Sequence, residues 1–349
     1  MEQNLCKYFN NCGGCQIQGL NRQEYLDRKL NNLKQILDTK NITYENLEPL
    51  LIFPIGIRRR ANLKIDFGCN IGFYKKNTND VVAIKNCQML DFEINNIIKY
   101  LPLIFKTFVK RSDGNILITK VGNGITLDFE NINITPLDLP KLKKFAEKFN
   151  IIRIANRNEI LYESQTPFIV FNDIKVPYSS NSFLQPSQNG ENAIIETIKK
   201  FIGSNKLGKV ADLFCGLGIF SFYLKDIAEQ IYSFDCDEDA IRQINKISKQ
   251  HNLKINAKSV DLFTHPLSSE KLNQFDLIVL DPPRDGAKVQ IEKIVKSSVK
   301  NIIYVSCNPI TFVRDCRILL DNGYKIRTIQ PIDQFANTNH LELVANIYK

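Results

Sequence analysis

A few short stretches hold side chains whose types and placement can do chemistry. The run NIIYVSCNP is apolar until it reaches Cys307, with Asn308 and Pro309 beyond. Cysteine is often just a small buried hydrophobe, but one at a strand tip beside polar residues is placed to act as a thiolate. HLELVANIY opens an alternating strand pattern with His340 and Glu342. The ordinary reading of Glu342 is a surface charge, yet a strand joining the same sheet would bring its carboxylate to the mouth of a pocket. His340 is read as a neighbour on that face, not as a catalytic group. FDLIVLDPPRDG ends a continuous apolar run with Asp281, and Pro282 and Pro283 fix the backbone just past it. DLFCGLGIF reads as strand, glycine turn and helix, where Gly216 and Gly218 let the backbone come close to a ligand.

The G-x-G spacing lacks the third glycine of the dinucleotide fingerprint, but the next strand pattern ends in Asp235, where an acid can accept hydrogen bonds from ribose hydroxyls. No G-x-x-x-x-G-K-[ST] is present, which argues against a triphosphate site. The acidic set Asp212, Asp235, Asp261 and Asp281 suits a nucleoside with a positive charge, and S-adenosylmethionine fits that description. Aspartate at the end of a strand is also a common helix cap, a reading that applies best to Asp261. A thiolate, a carboxylate and a sulfonium methyl donor together can alkylate carbon 5 of uracil. Addition of the thiolate to carbon 6 makes carbon 5 nucleophilic, and a base then removes the carbon 5 proton so that the thiol can leave. Cys307 and Glu342 are the candidates for those two roles.

A further thiol group lies at the start of the chain, in CKYFNNCGGCQIQ, with Cys6, Cys12 and Cys15; Cys87 follows in IKNCQML. The sequence has nine cysteines, an odd number. The first residues lack a basic-then-apolar leader pattern and no window of about 18 apolar residues occurs, so a cytoplasmic protein is expected, in which clustered thiols bind metal or react rather than pair. C-x5-C-x2-C with a distant fourth cysteine can close a tetrahedral thiolate site, and the spacing alone does not separate iron–sulfur from zinc.

These residues need elements to position them. A chain of 349 residues, 44% hydrophobic and 24% charged, is long enough for two soluble domains with real cores. Its formal charge of +9 favours a polyanionic partner, although a lysine-rich surface explains the same number. Residues 21–37 carry Leu26, Leu30, Leu33, Ile36 and Leu37 at helical spacing. From Ile52 to Phe171 the pattern is one of short alternating runs with turns, an antiparallel sheet, including IRRRANLKIDF. Arg58, Arg59, Arg60 and Lys64 there, near Phe67 and Phe73, suit RNA binding or a charge-guarded sheet edge. Beyond YSSNSFLQPSQNG, strand and helix patterns alternate, which implies a mainly parallel doubly wound sheet whose ligands gather at the carboxyl ends of its strands.

Taken in order, CKYFNNCGGCQIQ, IKNCQML, SFLQPSQNG, DLFCGLGIF, LDPPRDG, SCNP and HLE resemble the RNA uracil-5 methyltransferases over nearly the whole chain. The resemblance implies an α/β fold: a C-terminal Rossmann-like S-adenosylmethionine-dependent methyltransferase domain at 179–349, and a mainly antiparallel β domain at 1–178 that binds RNA, with the helix 21–37 packing on the catalytic domain. It implies a 4Fe-4S cluster on Cys6, Cys12, Cys15 and Cys87, leaving out Cys69, in a structural or RNA-contacting role. It also implies Cys307 as nucleophile, Glu342 as base, and Gln185, Phe214, Asp235 and Asp281 around S-adenosyl-L-methionine. Ile219 departs from relatives that carry a polar residue in that loop. The chain begins almost at its cysteines, without room for an extra N-terminal barrel, and is similar to the enzymes that methylate a hairpin-loop uridine of 23S ribosomal RNA, the 747 type. A monomer acting on single-stranded loop RNA, with no membrane association, is expected, since a loop uridine leaves its stack more easily than a helical one. The alternatives are another ribosomal or a transfer RNA uridine, uridine 54 included, and, in a different class, a noncatalytic RNA-binding or ribosome-assembly factor, which would transfer no methyl group.

Overall fold

The computed structural model describes residues 5–108, 113–157, 159–180, 182–204 and 206–349. Helix α1 (Arg22–Asp38) opens with a capping box, in which the Asn21 side chain accepts from Glu24 N–H at 3.0 Å and Glu24 accepts from Asn21 N–H at 2.9 Å. Two short strands follow, β1 (Tyr44–Leu47) and β2 (Leu51–Ile52). A seven-stranded sheet comes next, made of β3 (Arg60–Ile65), β4 (Ile71–Tyr74), β5 (Val81–Ala83), β6 (Gly114–Val121), β7 (Gly124–Glu130), β8 (Ile151–Asn156) and β9 (Glu159–Glu163). The hairpin β10 (Phe168–Phe171) and β11 (Ile174–Pro177) leads into the second half. That half contains β12 (Leu207–Leu213), β13 (Ala228–Asp235), β14 (Ile255–Ser259), β15 (Leu277–Leu280), β16 (Asn301–Ser306), β17 (Lys325–Asp333) and β18 (Glu342–Tyr348).

The strands of the second half form a sheet in the order β1-β17-β18-β16-β15-β12-β13-β14, with β2 also paired to β17. From β14 to β16 all pairings are parallel, whereas β18 runs antiparallel to both neighbours. Along β15 every residue is buried, with Leu277 and Val279 in the core on one face and Ile278 and Leu280 in the core on the other. Such two-sided burial explains why LIVL reads as an unbroken apolar run. Because β12 lies between β13 and β15, the chain reverses its direction of travel across the sheet there, and a crevice opens at the carboxyl ends of these strands.

The seven-stranded sheet has its own core and is antiparallel except where β7 pairs with β8. It also carries helices Phe92–Ile98, Leu101–Phe108 and Leu139–Lys148, within a region whose alternating runs suggest strands alone. The division at residue 178 expected from sequence differs from the packing in two places. β1 and β2 leave the first half to extend the sheet of the second, and β10–β11 contributes Ile169, Phe171, Ile174 and Val176 to that sheet's core. Strands of two to four residues carry too little pattern to show which distant strand they pair with. Helix α1 places Leu33 and Leu37 in the core on the opposite face of the same sheet.

Arg59, read from sequence as part of either an RNA-binding face or a charge-guarded sheet edge, is in fact buried. Its guanidinium donates to Gln185 O at 3.0 Å and Gln188 Oε1 at 2.5 Å, and pairs with the fully buried Glu191, so it ties the start of β3 to helix Gln188–Ile202. Removing one partner of such a pair strands the other charge without solvent, which costs roughly 3–5 kcal/mol. Arg59→Met is therefore expected to lower the urea midpoint by an amount equivalent to that loss, read from equilibrium unfolding; a shift worth under about 1 kcal/mol would show the pair to be dispensable.

Candidate active site

The crevice at the end of β12 is a cavity of about 590 Å³, and its walls include Gln185, Phe214, Gly216, Asp235, Asp281, Cys307 and Glu342. Phe214 leaves β12 with φ of 61°, Gly216 has φ of 50° and Gly218 has φ of 82°, so the chain folds back at once into helix Ile219–Leu224. A Cβ on Gly218 would stand 3.0 Å from Ile244 in a left-handed backbone, so this position requires glycine. Asp235 fastens the turn: its Oδ2 accepts Gly216 N–H at 2.9 Å and its Oδ1 accepts Asp237 N–H at 2.9 Å, which holds a carboxylate at the cavity wall. Asp212 lies wholly inside, where Ser221 N–H at 3.0 Å and Ser221 Oγ at 2.5 Å bond its Oδ2, and burial raises its pKa to about 7. It supports the loop from beneath. The half-buried Asp261 also lines the cavity but uses its carboxylate locally, on Phe263 N–H at 2.9 Å and Thr264 Oγ1 at 2.8 Å, in a turn and not at the helix start that the capping reading expects.

On the other side of the switch point, Asp281 follows β15, Cys307 follows β16, and Glu342 begins β18, which runs the opposite way. Antiparallel pairing is what allows the first residue of β18 to meet the last residues of its neighbour, as the register Ser306 to Leu343 shows. Asp281 is half-buried and its pKa rises to about 7, first from desolvation and then from the charge of Asp212. Glu342 is 2% exposed, and desolvation followed by the charge of Asp281 holds its pKa well above the carboxylate range. The half-buried Cys307 is pushed up to about 12, by desolvation and then by Glu342 and Asp281, with Arg284 opposing them.

A residue that the sequence did not single out connects these groups. Gln334 Nε2 donates to Glu342 Oε2 at 2.6 Å and to Gln185 Oε1 at 2.9 Å, and Gln185 Nε2 donates to Asp281 Oδ2 at 3.4 Å. The base candidate is thus oriented by an amide, while its Oε1 is buried with no hydrogen-bond partner among the described residues. No contact orients Glu342 through His340, whose Nδ1 lies 3.3 Å from Arg284 Nη2 and whose pKa is lowered by burial and that neighbour. A glutamine eight residues before a glutamate, across a loop, leaves no periodic signal.

Cys6, Cys12, Cys15 and Cys87 line a second cavity, of about 210 Å³, together with Arg58 and Arg60. Burial and the neighbouring Cys87 sulfur push the Cys15 thiol up to about 11, and burial raises Cys12 and Cys87 as well. Cys69 lies outside the cavity lining, at a turn with φ of 61°. Among the described residues, no group of three or more His, Cys, Asp or Glu side chains is arranged to hold a metal ion, and no helix is long and apolar enough to cross a membrane.

The chain is similar to known RNA methyltransferases. A family model described as tRNA (Uracil-5-)-methyltransferase matches residues 140–348. An uncharacterized RNA methyltransferase of Agrobacterium fabrum is 31% identical, over 99% of this chain and 85% of its own. A 23S rRNA (uracil(1939)-C(5))-methyltransferase of Haemophilus influenzae is 29% identical, over 97% of this chain and 80% of its own. Among solved structures, the tRNA (uracil-54, C5)-methyltransferase of Pyrococcus abyssi, in complex with S-adenosyl-L-homocysteine, superposes with a TM-score of 0.76 over 96% of this chain and 86% of its own. At 23% identity that likeness speaks for the fold.

A thiol held near 12 is almost entirely protonated at neutral pH. Alkylation of Cys307 by iodoacetamide in the ligand-free protein, mapped by mass spectrometry, is expected to accelerate roughly tenfold per pH unit from pH 8 to 11 without levelling. A plateau near pH 9 would contradict the electrostatic crowding around this sulfur.

Proposed function

Since the chain belongs to the RNA uracil-5 methyltransferase family, we propose that Cys307 and Glu342 carry its reaction and that its target is a loop uridine of 23S ribosomal RNA. The family makes it an S-adenosylmethionine-dependent enzyme acting on carbon 5 of uracil in RNA. The observation that carries the residue assignment is the convergence of Cys307, Glu342 and Asp281 from separate strand ends onto one cavity.

The donor fits that cavity by the chemistry of its walls. Asp235 is held at the end of β13 with each oxygen already accepting one backbone N–H and keeping a second lone pair for ribose hydroxyls, Phe214 and Phe263 lie 5.4 Å apart at the same wall, and Asp281 and Glu342 favour a cation. Bound there, S-adenosylmethionine supplies an electrophilic methyl group on a cationic sulfur. Cys307 gives its proton to water, and its Sγ bonds to carbon 6 of the uracil while the 5,6 double-bond electrons move toward oxygen 4. Carbon 5 then takes the methyl group as the bond to the donor sulfur breaks, leaving neutral S-adenosylhomocysteine. Glu342, held by Gln334, removes the carbon 5 proton, the pair from that bond rebuilds the 5,6 double bond, and the carbon–sulfur bond breaks. Gln334 contributes a donor that favours the ionised form of Glu342 against the desolvation that opposes it.

We further propose that Cys6, Cys12, Cys15 and Cys87, which line one cavity, hold the 4Fe-4S cluster that the family resemblance implies. Arg58 lies against them, half-buried, with its buried Nε unpartnered among the described residues and with Cys87 and Cys15 as its electrostatic neighbours. Neutral thiols would leave that cation uncompensated, whereas ligating thiolates supply the counter-charge.

For the target, the reading adopted is the hairpin-loop uridine of the 747 type. The 1939 type is the second reading, favoured by what the Haemophilus relative is named for. Mapping 5-methyluridine in ribosomal and transfer RNA from a deletion strain decides between them: loss at one 23S loop position is expected, and loss confined to transfer RNA overturns the ribosomal assignment. Two variants test the chemistry. Cys307→Ala is expected to abolish methyl transfer while S-adenosylhomocysteine binding persists, and full turnover would remove Cys307 from its role. Glu342→Gln is expected to accumulate a covalent protein–RNA adduct, visible as a retarded band on a denaturing gel, and absence of the band would count against Glu342 as the base.

A further inference from the structure

The loop that delivers Glu342 runs from Asp333 at the end of β17 to the start of β18, and much of what holds it comes from the other end of the chain. Asn337, in its middle, is buried with φ of 62°. Its carbonyl oxygen accepts Gln16 N–H at 2.8 Å and Ile17 N–H at 3.0 Å, the two residues that follow Cys15. Its N–H donates to Tyr25 Oη at 3.0 Å, and its Nδ2 lies 3.6 Å from Met89 Sδ, two residues after Cys87. Tyr25 Oη donates to Asp333 Oδ2 at 2.6 Å. Lys29 Nζ, also buried, donates to Asp333 Oδ1 at 2.9 Å and to His340 O at 2.7 Å. The loop is therefore gripped at its beginning, middle and end by α1 and by the segments that carry Cys15 and Cys87. The same cysteine segment is fixed on its far side to the seven-stranded sheet, through Gly13 N–H to Tyr74 O at 2.8 Å and Lys76 N–H to Asn11 O at 2.9 Å.

We propose that α1 and the segment that follows Cys15 clamp the catalytic base: Gln16, Ile17 and Tyr25 hold Asn337 and Asp333 and so keep Gln334 and Glu342 in register. Tyr25 and Asn337 are positioning residues in this scheme, acting through the loop and not on the uracil. The inference rests on the assignment of Glu342 as base and goes beyond a role for the cysteine segment in touching RNA. It has a specific consequence. Loosening the clamp slows release of the methylated product, the step that needs Glu342, and leaves RNA affinity and sulfur addition in place.

The test uses the full-length protein as isolated, with its iron content measured, in four forms: wild type, Tyr25→Phe, Cys15→Ser and Glu342→Gln. Tyr25→Phe removes only the hydroxyl that joins α1 to Asp333 and Asn337, so it remains informative if Cys15→Ser does not fold. Three quantities are read: amide hydrogen exchange of residues 334–341, RNA affinity by filter binding, and covalent adduct on a denaturing gel after incubation with S-adenosylmethionine and target RNA. The expected result is faster exchange in the loop for Tyr25→Phe and Cys15→Ser, RNA affinity as in wild type, and adduct resolution slowed on the order of 10-fold to 100-fold. Unchanged loop exchange, or a defect confined to RNA affinity, overturns the clamp. If Glu342→Gln itself gathers no adduct, the assignment of the base falls, while the exchange data still decide whether the clamp holds the loop.

Discussion

The structure depends on confining negative charge: Asp281, Glu342 and Cys307 share one cavity wall, far enough from water that their acid forms are favoured. Like charges this close cannot all be expressed in an empty apolar site. The arrangement becomes favourable when a cationic ligand enters, because each ionised group then gains an opposite charge in a medium of low dielectric. A site built this way discriminates by charge before it discriminates by shape, and it keeps its thiol quiet until the cavity is filled.

Holding such groups in place needs a rigid frame, and the frame is the switch point of the sheet. Parallel strands β12, β13, β15 and β16 all present their carboxyl ends on one edge, and the reversed β18 adds its first residue to that same edge. The amide chain from Asp281 through Gln185 and Gln334 to Glu342 then joins the two ends of the cavity without adding a charge. Arg59 links Gln185 to the seven-stranded sheet, so the half of the chain that carries the cysteines is bonded directly to the cavity wall. Glu191 and Asp333 complete the connection through buried ion pairs at two separate points between the halves.

Strand-end residues were legible in the sequence because apolar runs terminate where the sheet does. Asp281 and Cys307 each follow a run too apolar to be anything but buried, and Gly218 announces its turn by being the residue that a left-handed backbone requires. The hidden features share a different character: they are made by residues distant in sequence. Lys29 sits on the apolar stripe of α1 and looks like an interruption until Asp333, from the far end of the chain, is placed beside it. Arg59 looks like one of three equivalent arginines, and nothing local shows that it alone turns inward to Glu191. β1 and β2 are too short to announce their parallel partner, and Gln334 has no pattern around it. Pairings of this kind are fixed by tertiary packing, which periodicity does not encode.

The claim on which the chemistry turns is that the Cys307 sulfur bonds to carbon 6 of the uracil. The most direct measurement is peptide mapping of the wild-type enzyme trapped on target RNA containing 5-fluorouridine, whose carbon 5 offers no proton to remove, so that the methylated adduct persists. The account predicts a nucleotide attached to the peptide containing Cys307 and to no other cysteine. Attachment elsewhere, or methylation of the fluorinated base with no protein–RNA bond at all, would contradict it.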